Sequence, residues 1–342
     1  DKLPKATAHI DEQIELIEKI EEKGFAYQIS DGEYFDTQAY EEAGNEYGKL
    51  SSLDEIKEGA RVEVNKEKKD ARDFALWKFS KSTDRQMEWD SPWGVGFPGW
   101  HIECSTMSME YLGSQFDIHI GGEDLRSTHH PNEIAQSETV SGKKPFVKYW
   151  LHGAFLQVDG GRMGKSLGNA YSLADLKEKG YSALDLRYFF LTGHWRKPLN
   201  FTWEALEAAK VARKKLASRV SHWQEKGERG GGCFEYEEMF VEAVEDNLNM
   251  PKALAVMWDM IKSDEEGRDK LASVIRFDRI LGLGLQERKI VKIPERIREL
   301  VRKREWLREQ RKWDEADEVR EEIESQGFKL EDEDEETKIV SE

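Results

Sequence analysis

Between Asp11 and Ala26, apolar side chains at Ile14, Leu16, Ile17, Ile20 and Phe25 recur among acids. That spacing gathers them on one side of a 3.6-residue helix, which Gly24 ends. From Tyr27 to about Leu76 the text shortens into alternating stretches. Tyr34 and Phe35, then Val62 and Val64, stand between Asp, Gly, Asn and Lys, which predicts the small strands and loops of an inserted subdomain. Residues 89 to 125 are studded with glycine and tryptophan up to Trp100, then carry an apolar helix-like run and a strand over Phe116 to Ile120. From about Leu173 onward helical spacing dominates, with Arg or Lys and Glu at i, i+4 through Arg187, Lys210 to Val220, Phe240 to Ile261 and Arg296 to Gln326. The C-terminal half therefore reads as a helical bundle. Gly227 to Gly232 reads as a flexible loop, Ile293-Pro294 as the start of a final small domain, and the acidic run Glu331 to Glu336 as a solvated tail.

Length and charge narrow the class. With 342 residues the chain is too long for one ordinary core and long enough for two or three domains. No run approaches the roughly 18 apolar residues of a membrane span, so a membrane-spanning protein is excluded at this level. The net charge of −17 opposes indiscriminate attraction to nucleic acid, so a nucleic-acid partner requires a local basic surface. Two cysteines, Cys104 and Cys233, cannot make a disulfide framework, and no signal peptide is visible, so a reducing cytoplasm is the expected home. Asp1 to Ile10 reads as the interior of something longer.

Three stretches carry candidate chemistry. His129 and Glu133 stand four apart, on one helix face, in a segment where Ser127 or Thr128 can cap and Pro131 is tolerated in the first turn. With Cys104 they form a donor set suited to zinc; the same residues also suit a buried thiol and a helix-surface pair. Gly161 to Asn169 is a glycine-bracketed loop with Arg162, Lys165 and Ser166, suited to a polyphosphate or to a basic surface turn, and it does not match the Walker pattern. Asp117 to Leu125 ends a strand with Gly121 and Gly122, where backbone can approach a ligand. Asp124 then stands ready to accept from sugar hydroxyls or to cap a helix.

Taken together these stretches resemble a known family. Ser91-Pro92-Trp93-Gly94, Gly99-Trp100-His101-Ile102-Glu103-Cys104-Ser105, Phe116 to Leu125, His129 to Ser137 and Gly161 to Asn169 look like consecutive motifs of cysteinyl-tRNA synthetase, a class I enzyme. Flanking matches extend the likeness over nearly the whole chain. They are Ala6-Thr7 with His9-Ile10, Tyr47 to Ser51, Leu186 to Phe189, Pro198 to Phe201, Leu248 to Leu254, and Lys312 to Asp317 running to Gly327-Phe328.

The resemblance implies an α/β class I Rossmann-type catalytic domain, represented by its second half with an insertion, followed by an all-α bundle and a small anticodon-binding domain. On this chain the expected parts are the end of the first Rossmann half at 1–17, the insertion at 18–95, and the second half at 96–172. A linking, stem-contacting segment at 173–205, the bundle at 206–290, and the anticodon-binding domain with its acidic tail at 291–342 complete the list.

The implied activity is ATP-dependent formation of cysteinyl-adenylate and transfer to tRNA(Cys), by a monomer, with Mg2+ accompanying ATP. The implied cofactor is one Zn2+ held by Cys104, His129 and Glu133, which binds the substrate thiolate and so selects cysteine over serine by ligand softness. Trp100 and His101 would line the amino-acid pocket and Gly121, Gly122 and Asp124 the adenosine side. Lys165, with Ser166 and Arg162, would hold the phosphates from the loop that corresponds to the family's KMSKS. Arg302, Arg304, Arg308, Arg311 and Lys312 would face tRNA phosphates.

The departures are specific. The family's HIGH motif and a further cysteine ligand do not occur in the chain. His119-Ile120-Gly121-Gly122 imitates HIGH but sits at the nucleoside strand. This implies that about 100 residues belong upstream, about one nucleotide-binding half, without which the chain has a three-ligand zinc site and is inactive. Arg162 and Gly164 stand where the family usually has Lys and Ser, and Pro131 where it usually has Glu. Two other readings share much of this text. One is the ligase that joins activated cysteine to a sugar amine in mycothiol synthesis, and the other is a non-catalytic tRNA-binding paralogue.

Overall fold

The computed structural model describes residues 1–50, 65–80, 86–226, 230–285, 294–332 and 337–341. Ser51, Val62, Val64, residues 227–229 and Ile293, each part of an expectation above, lie outside the described residues. The chain divides into two compact units, one of Asp1–Lys214 with Phe234–Asp264 and one of Lys215–Cys233 with Glu265–Glu342.

The first unit begins with α1 (Ile10–Glu22), whose Asp11 and Glu12 face the positive end of the helix dipole and whose Lys19 lies near the negative end. It stops two residues before Gly24, which takes φ +82. Next come β1 (Ala26–Ile29), β2 (Gly32–Phe35), α2 (Thr37–Glu42), β3 (Phe74–Phe79) and β4 (Gly96–Pro98). The strands form one antiparallel sheet in the order β1-β2-β3-β4. Glycine lets β4 and the turn after it lie against β3: a Cβ at Gly96 would stand 2.1 Å from Lys78 O, and one at Gly99 2.0 Å from Ala75 O.

After Gly99 the chain enters α3 (Trp100–Leu112). The core beneath this sheet joins Ile17 and Ile20 of α1, Phe35, Tyr40, Leu76 and Trp77, and Ile102 of α3. Boundaries at 17/18 and 95/96 would therefore cut one core, and the second would also sever β4 from the domain that holds β3. The glycine-rich text around Gly96 and Gly99 is the strand-to-helix turn itself.

Then β5 (Phe116–Gly122), α4 (His129–Ser141) and β6 (Val147–Gly153) make a β-α-β unit with β5 and β6 parallel, from Phe116 opposite Val147 to Gly122 opposite Gly153. This is the parallel, helix-crossed arrangement expected of a Rossmann-type half. It is followed by β7 (Leu156–Val158), β8 (Gly161–Arg162), α5 (Leu173–Glu178), α6 (Ala183–Leu191) and β9 (Leu199–Phe201), with β7 antiparallel to β8 and parallel to β9. Ser172 with Asp175, and Ser182 with Asp185, form capping boxes that start α5 and α6.

The long α7 (Trp203–Glu225) runs on from this unit. α8 (Phe234–Glu245) and α9 (Met250–Lys262) return to it, where Trp258 Nε1 donates to Tyr188 Oη at 2.8 Å. The expected bundle at 206–290 is thus divided between the two units. Gly231 and Gly232 donate to Asp269 Oδ1, and Cys233 N to Ser273 Oγ, so the described end of the glycine-rich stretch is pinned.

The second unit holds α10 (Gly267–Leu281), α11 (Glu295–Glu309), α12 (Trp313–Ser325), β10 (Phe328–Asp332) and β11 (Thr337–Ser341). Ile297, Val301 and Leu307 of α11 meet Ala316, Val319 and Ile323 of α12 and Leu330 of β10. Arg304, expected on the tRNA-facing surface, is only 3% exposed, because it falls on the same helix stripe as Val301 and Leu307. The acidic stretch is not wholly a tail: Glu331 and Asp332 belong to β10 and pair in register with Lys338 and Thr337, while residues 333–336 lie outside the described residues. No helix among the described residues is long and apolar enough to cross a membrane.

Candidate active site

α4 is buried on all sides from His129 to Thr139, although most of its residues are polar. Such a helix is held by specific hydrogen bonds rather than by an apolar stripe. Tyr47 Oη donates to Asn132 Oδ1 at 2.5 Å, and Ser105 Oγ of α3 donates to Gln136 Oε1 at 2.7 Å. Lys23 Nζ donates to the carbonyl of Thr139 at 2.6 Å, and Glu138 Oε1 accepts from Phe146 N at 3.1 Å. Pro131 stands in the first turn, as its fixed φ allows. The hydroxyl cap expected from Ser127 or Thr128 is not made: Thr128 is the N-cap, but at φ −137 and ψ −60 its side chain accepts no hydrogen bond.

These ties set α3 against α4 so that the ligand atoms of Cys104, His129 and Glu133 all lie within 4.8 Å of one another. His129 Nε2 is 2.9 Å from Glu133 Oε1, yet neither carboxylate oxygen receives a hydrogen bond, and the residue is completely buried. A fully buried carboxylate with two unsatisfied oxygens is costly unless a cation completes it. Its donors, a thiol, an imidazole and a carboxylate, are those a zinc ion takes. The residues present therefore fit a zinc ion.

The electrostatics agree with a place prepared for a cation. Burial pushes the Cys104 thiol up to about 12, with the charges of Glu133 and Glu103 adding to it, so the thiol stays protonated until a cation arrives. Burial also works to raise Glu133, but the imidazoles of His119 and His129 outweigh it and hold the carboxyl down to about 2.

Trp100 and His101 stand beside His129. The Trp100 ring centroid is 4.3 Å from that of His129, and more than half of the indole is exposed. His101 Nδ1 and His129 Nδ1 are 2.8 Å apart, a hydrogen bond that leaves His129 Nε2 facing the carboxylate. Burial, then the neighbouring His129, holds His101 down to about 3, so it serves as a neutral partner.

The sequence reading left out further imidazoles. His119 Nε2 of β5 lies 3.6 Å from Glu133 Oε2, and His130 Nε2 lies 4.0 Å from Oε1. His130 Nδ1 in turn meets His152 Nε2 of β6 at 2.7 Å. Three of the eight histidines therefore lie within 4.0 Å of one carboxylate, and His101 and His152 stand behind them as partners of His129 and His130. The available signal was the adjacency of His129 and His130 on a helix that follows a strand bearing His119.

The other candidates lie at strand ends and on a loop. Gly121 and Gly122 end β5 opposite His152 and Gly153. A Cβ at Gly121 would stand 2.6 Å from His130 Cε1, and one at Gly122 2.5 Å from Asp124 Oδ1, so the imidazole and the exposed carboxylate both close over bare backbone. Arg162 ends β8, and Lys165 and Ser166 open a 3-10 turn, Lys165–Leu167, which Gly168 ends at φ +66. Asn169 ties this loop across its base, accepting from Gly164 N at 2.8 Å and donating to Arg162 O at 2.9 Å. Arg162, Lys165 and Ser166 are all exposed. No hydrogen bond or ion pair among the described residues joins them to Cys104, His129 or Glu133.

Comparison with known proteins places this arrangement. Residues 1–211 match the family model described as tRNA synthetases class I (C) catalytic domain. Over 96% of the chain it is 43% identical to a cysteine–tRNA ligase 1 of Burkholderia lata, across 69% of that protein. It is 40% identical to a cysteine–tRNA ligase of Treponema denticola over 96% of the chain and 73% of that protein. It is 39% identical to one of Halalkalibacterium halodurans over 97% of the chain and 74% of that protein. With more than half of its length inside the family model and such relatives along nearly all of it, the chain belongs to the cysteine–tRNA ligase family of class I tRNA synthetases.

Proposed function

We propose that the chain activates cysteine with ATP and passes it to tRNA(Cys), with Zn2+ at Cys104, His129 and Glu133 and with Mg2+ accompanying ATP. The observation that carries this reading is the buried Glu133 carboxylate, unsatisfied at both oxygens, beside a thiol and an imidazole donor. A zinc ion there binds thiolate sulfur in preference to a hydroxyl, which separates cysteine from serine without an editing site.

The chain's own residues supply the rest. The exposed indole of Trp100 and the ring of His101 form the wall beside His129 against which the amino acid lies. Gly121 and Gly122 let His130 and Asp124 close in at the end of β5, where the nucleoside lies, and Asp124 accepts from its ribose hydroxyls. Lys165, Arg162 and Ser166 donate to the phosphates as the substrate carboxylate attacks the α-phosphorus and pyrophosphate leaves. The Lys165 cation stabilises the charge that develops there. With both cysteines free, the enzyme acts in the reducing cytoplasm, as a monomer.

Neither rival is favoured. Relatives along nearly the whole chain carry the name cysteine–tRNA ligase, and the donor set and the bare lysine loop are what a non-catalytic paralogue has no use for. The test is pyrophosphate exchange into ATP by the full-length protein, followed by acylation of tRNA(Cys). Exchange should occur with cysteine and not serine and stop when zinc is chelated. Equal exchange with serine would sink the thiolate argument, and exchange without tRNA acylation would favour the sugar-amine ligase.

A further inference from the structure

The segment that leads out of α2 is fastened along the helix that carries His129 and Glu133. Asn45 is tied to Tyr40 O of α2 and accepts from Lys144 Nζ, just beyond the end of α4, at 2.6 Å. Gly48 turns the chain at φ +81, and Lys49 Nζ then lies 3.4 Å from Glu138 Oε2 in the last turns of α4. Between these two fastenings stands Tyr47, only 5% exposed. Tyr47 opens a stretch that carries part of the family resemblance, yet no step of the proposed reaction uses it.

Tyr47 reaches the donor set by two routes. Its hydroxyl donates to Asn132 Oδ1 at 2.5 Å, and the buried Asn132 sits three residues after His129 and one before Glu133, in the turn that spaces them. Its ring stacks on Phe74 of β3, with centroids 6.4 Å apart and planes 15° from parallel. Phe74 meets the His101 ring edge-on at 5.6 Å and 89°, and His101 Nδ1 lies 2.8 Å from His129 Nδ1. Arg72, paired with Glu41 of α2 and with Asp70, stands 5.8 Å from the centre of the Tyr47 ring. One side chain, anchored among residues that lie between α1 and β3, is therefore linked to both donors of α4.

Groups behind the ligands fix the orientation of a ligating imidazole or carboxylate, and metal affinity depends on them. We propose that Tyr47 is a positioning residue for the zinc donors. Through Asn132 it fixes the turn that spaces His129 from Glu133, and through Phe74 and His101 it fixes the plane of the His129 ring. The inference rests on zinc being held by Cys104, His129 and Glu133, and it adds to that site a residue that acts through others.

The test is the zinc affinity of the full-length protein, read by competition with a chromophoric chelator, together with the visible spectrum of its cobalt(II) form, whose bands report donor geometry. Tyr47→Phe keeps the ring and removes the hydroxyl. It should still bind zinc, but about tenfold more weakly and with shifted cobalt bands. Tyr47→Leu removes both routes and should weaken zinc about a hundredfold. Tyr40→Phe is the control, because the buried Tyr40 hydroxyl has no hydrogen-bond partner among the described residues. It should leave affinity and spectrum as they are. A Tyr47→Phe protein that unfolds in less urea yet keeps the zinc affinity and cobalt spectrum of the unsubstituted protein would overturn the proposal, since a purely structural contact behaves in that way. An equal change in Tyr40→Phe would overturn it too. The broader reading fails separately, if the unsubstituted protein binds no zinc.

Discussion

The two working parts of the first unit are held in opposite ways. Cys104, His129 and Glu133 project from packed helices whose polar residues are tied at both ends, by Tyr47 and Ser105 on one side and Lys23 on the other. Lys165 stands on an exposed loop that Asn169 ties across its base. The ties from Tyr47, Ser105 and Lys23 hold the buried set without any ligand, which suits the proposed ion selection, because discrimination by ligand type depends on donors that do not rearrange. On the proposed function, the loop would be ordered by the polyphosphate, as a group that acts only while charge is developing can be.

That contrast makes separable predictions, the largest first. Glu133→Gln should remove bound zinc and lower cysteine activation by more than about a thousandfold, since a metal ligand and a buried charge are lost together. Zinc analysis and pyrophosphate exchange on the same sample check it. Lys165→Ala should lower the activation rate by about a hundredfold or more while leaving zinc at the unsubstituted level. Loss of zinc in that variant would mean that the loop and the donor set are one structural element.

A stability prediction probes the packed region apart from the chemistry. Glu33, on β2, is buried with both oxygens unpaired, and burial together with the charge of Glu21 raises its carboxyl to about 7 from an ordinary 4.5. A carboxyl raised in the folded state favours folding only while protonated. The native state should therefore lose stability as pH climbs from about 4.5 through 7. Glu33→Gln should be about 3 kcal/mol more stable than the unsubstituted protein at pH 8 and equal to it at pH 4, measured by urea unfolding. The smallest effect is expected from Asn169→Ala. Opening the loop's base should lower activation about fivefold, seen mostly in the KM for ATP, without moving the unfolding midpoint.

The same contrast bears on what could be read in advance. Four-residue spacing placed His129 and Glu133 on one helix face, and the ordered motifs supplied Cys104 as their companion from another helix. The second ring of imidazoles escaped because periodicity shows which residues share a face, not which strand packs behind it. His119 and His152 reach α4 only through the parallel pairing of β5 with β6. Arg304 escaped for the opposite reason. Read by type it is a surface cation, but its position at i+3 from Val301 and i−3 from Leu307 puts it in the core stripe. The division at residue 95 came from the resemblance, and it falls just before Gly96 and Gly99, which let β4 touch β3. Local text could not distinguish a turn within one core from a boundary between two.

The most direct test measures zinc per chain in three proteins purified side by side: the unsubstituted full-length protein, Glu133→Gln and Lys165→Ala. A donor set that is complete before the loop engages predicts about one zinc in the first and third and almost none in the second. Zinc retained in Glu133→Gln would show that this carboxylate is not a ligand and would contradict the assignment of the site.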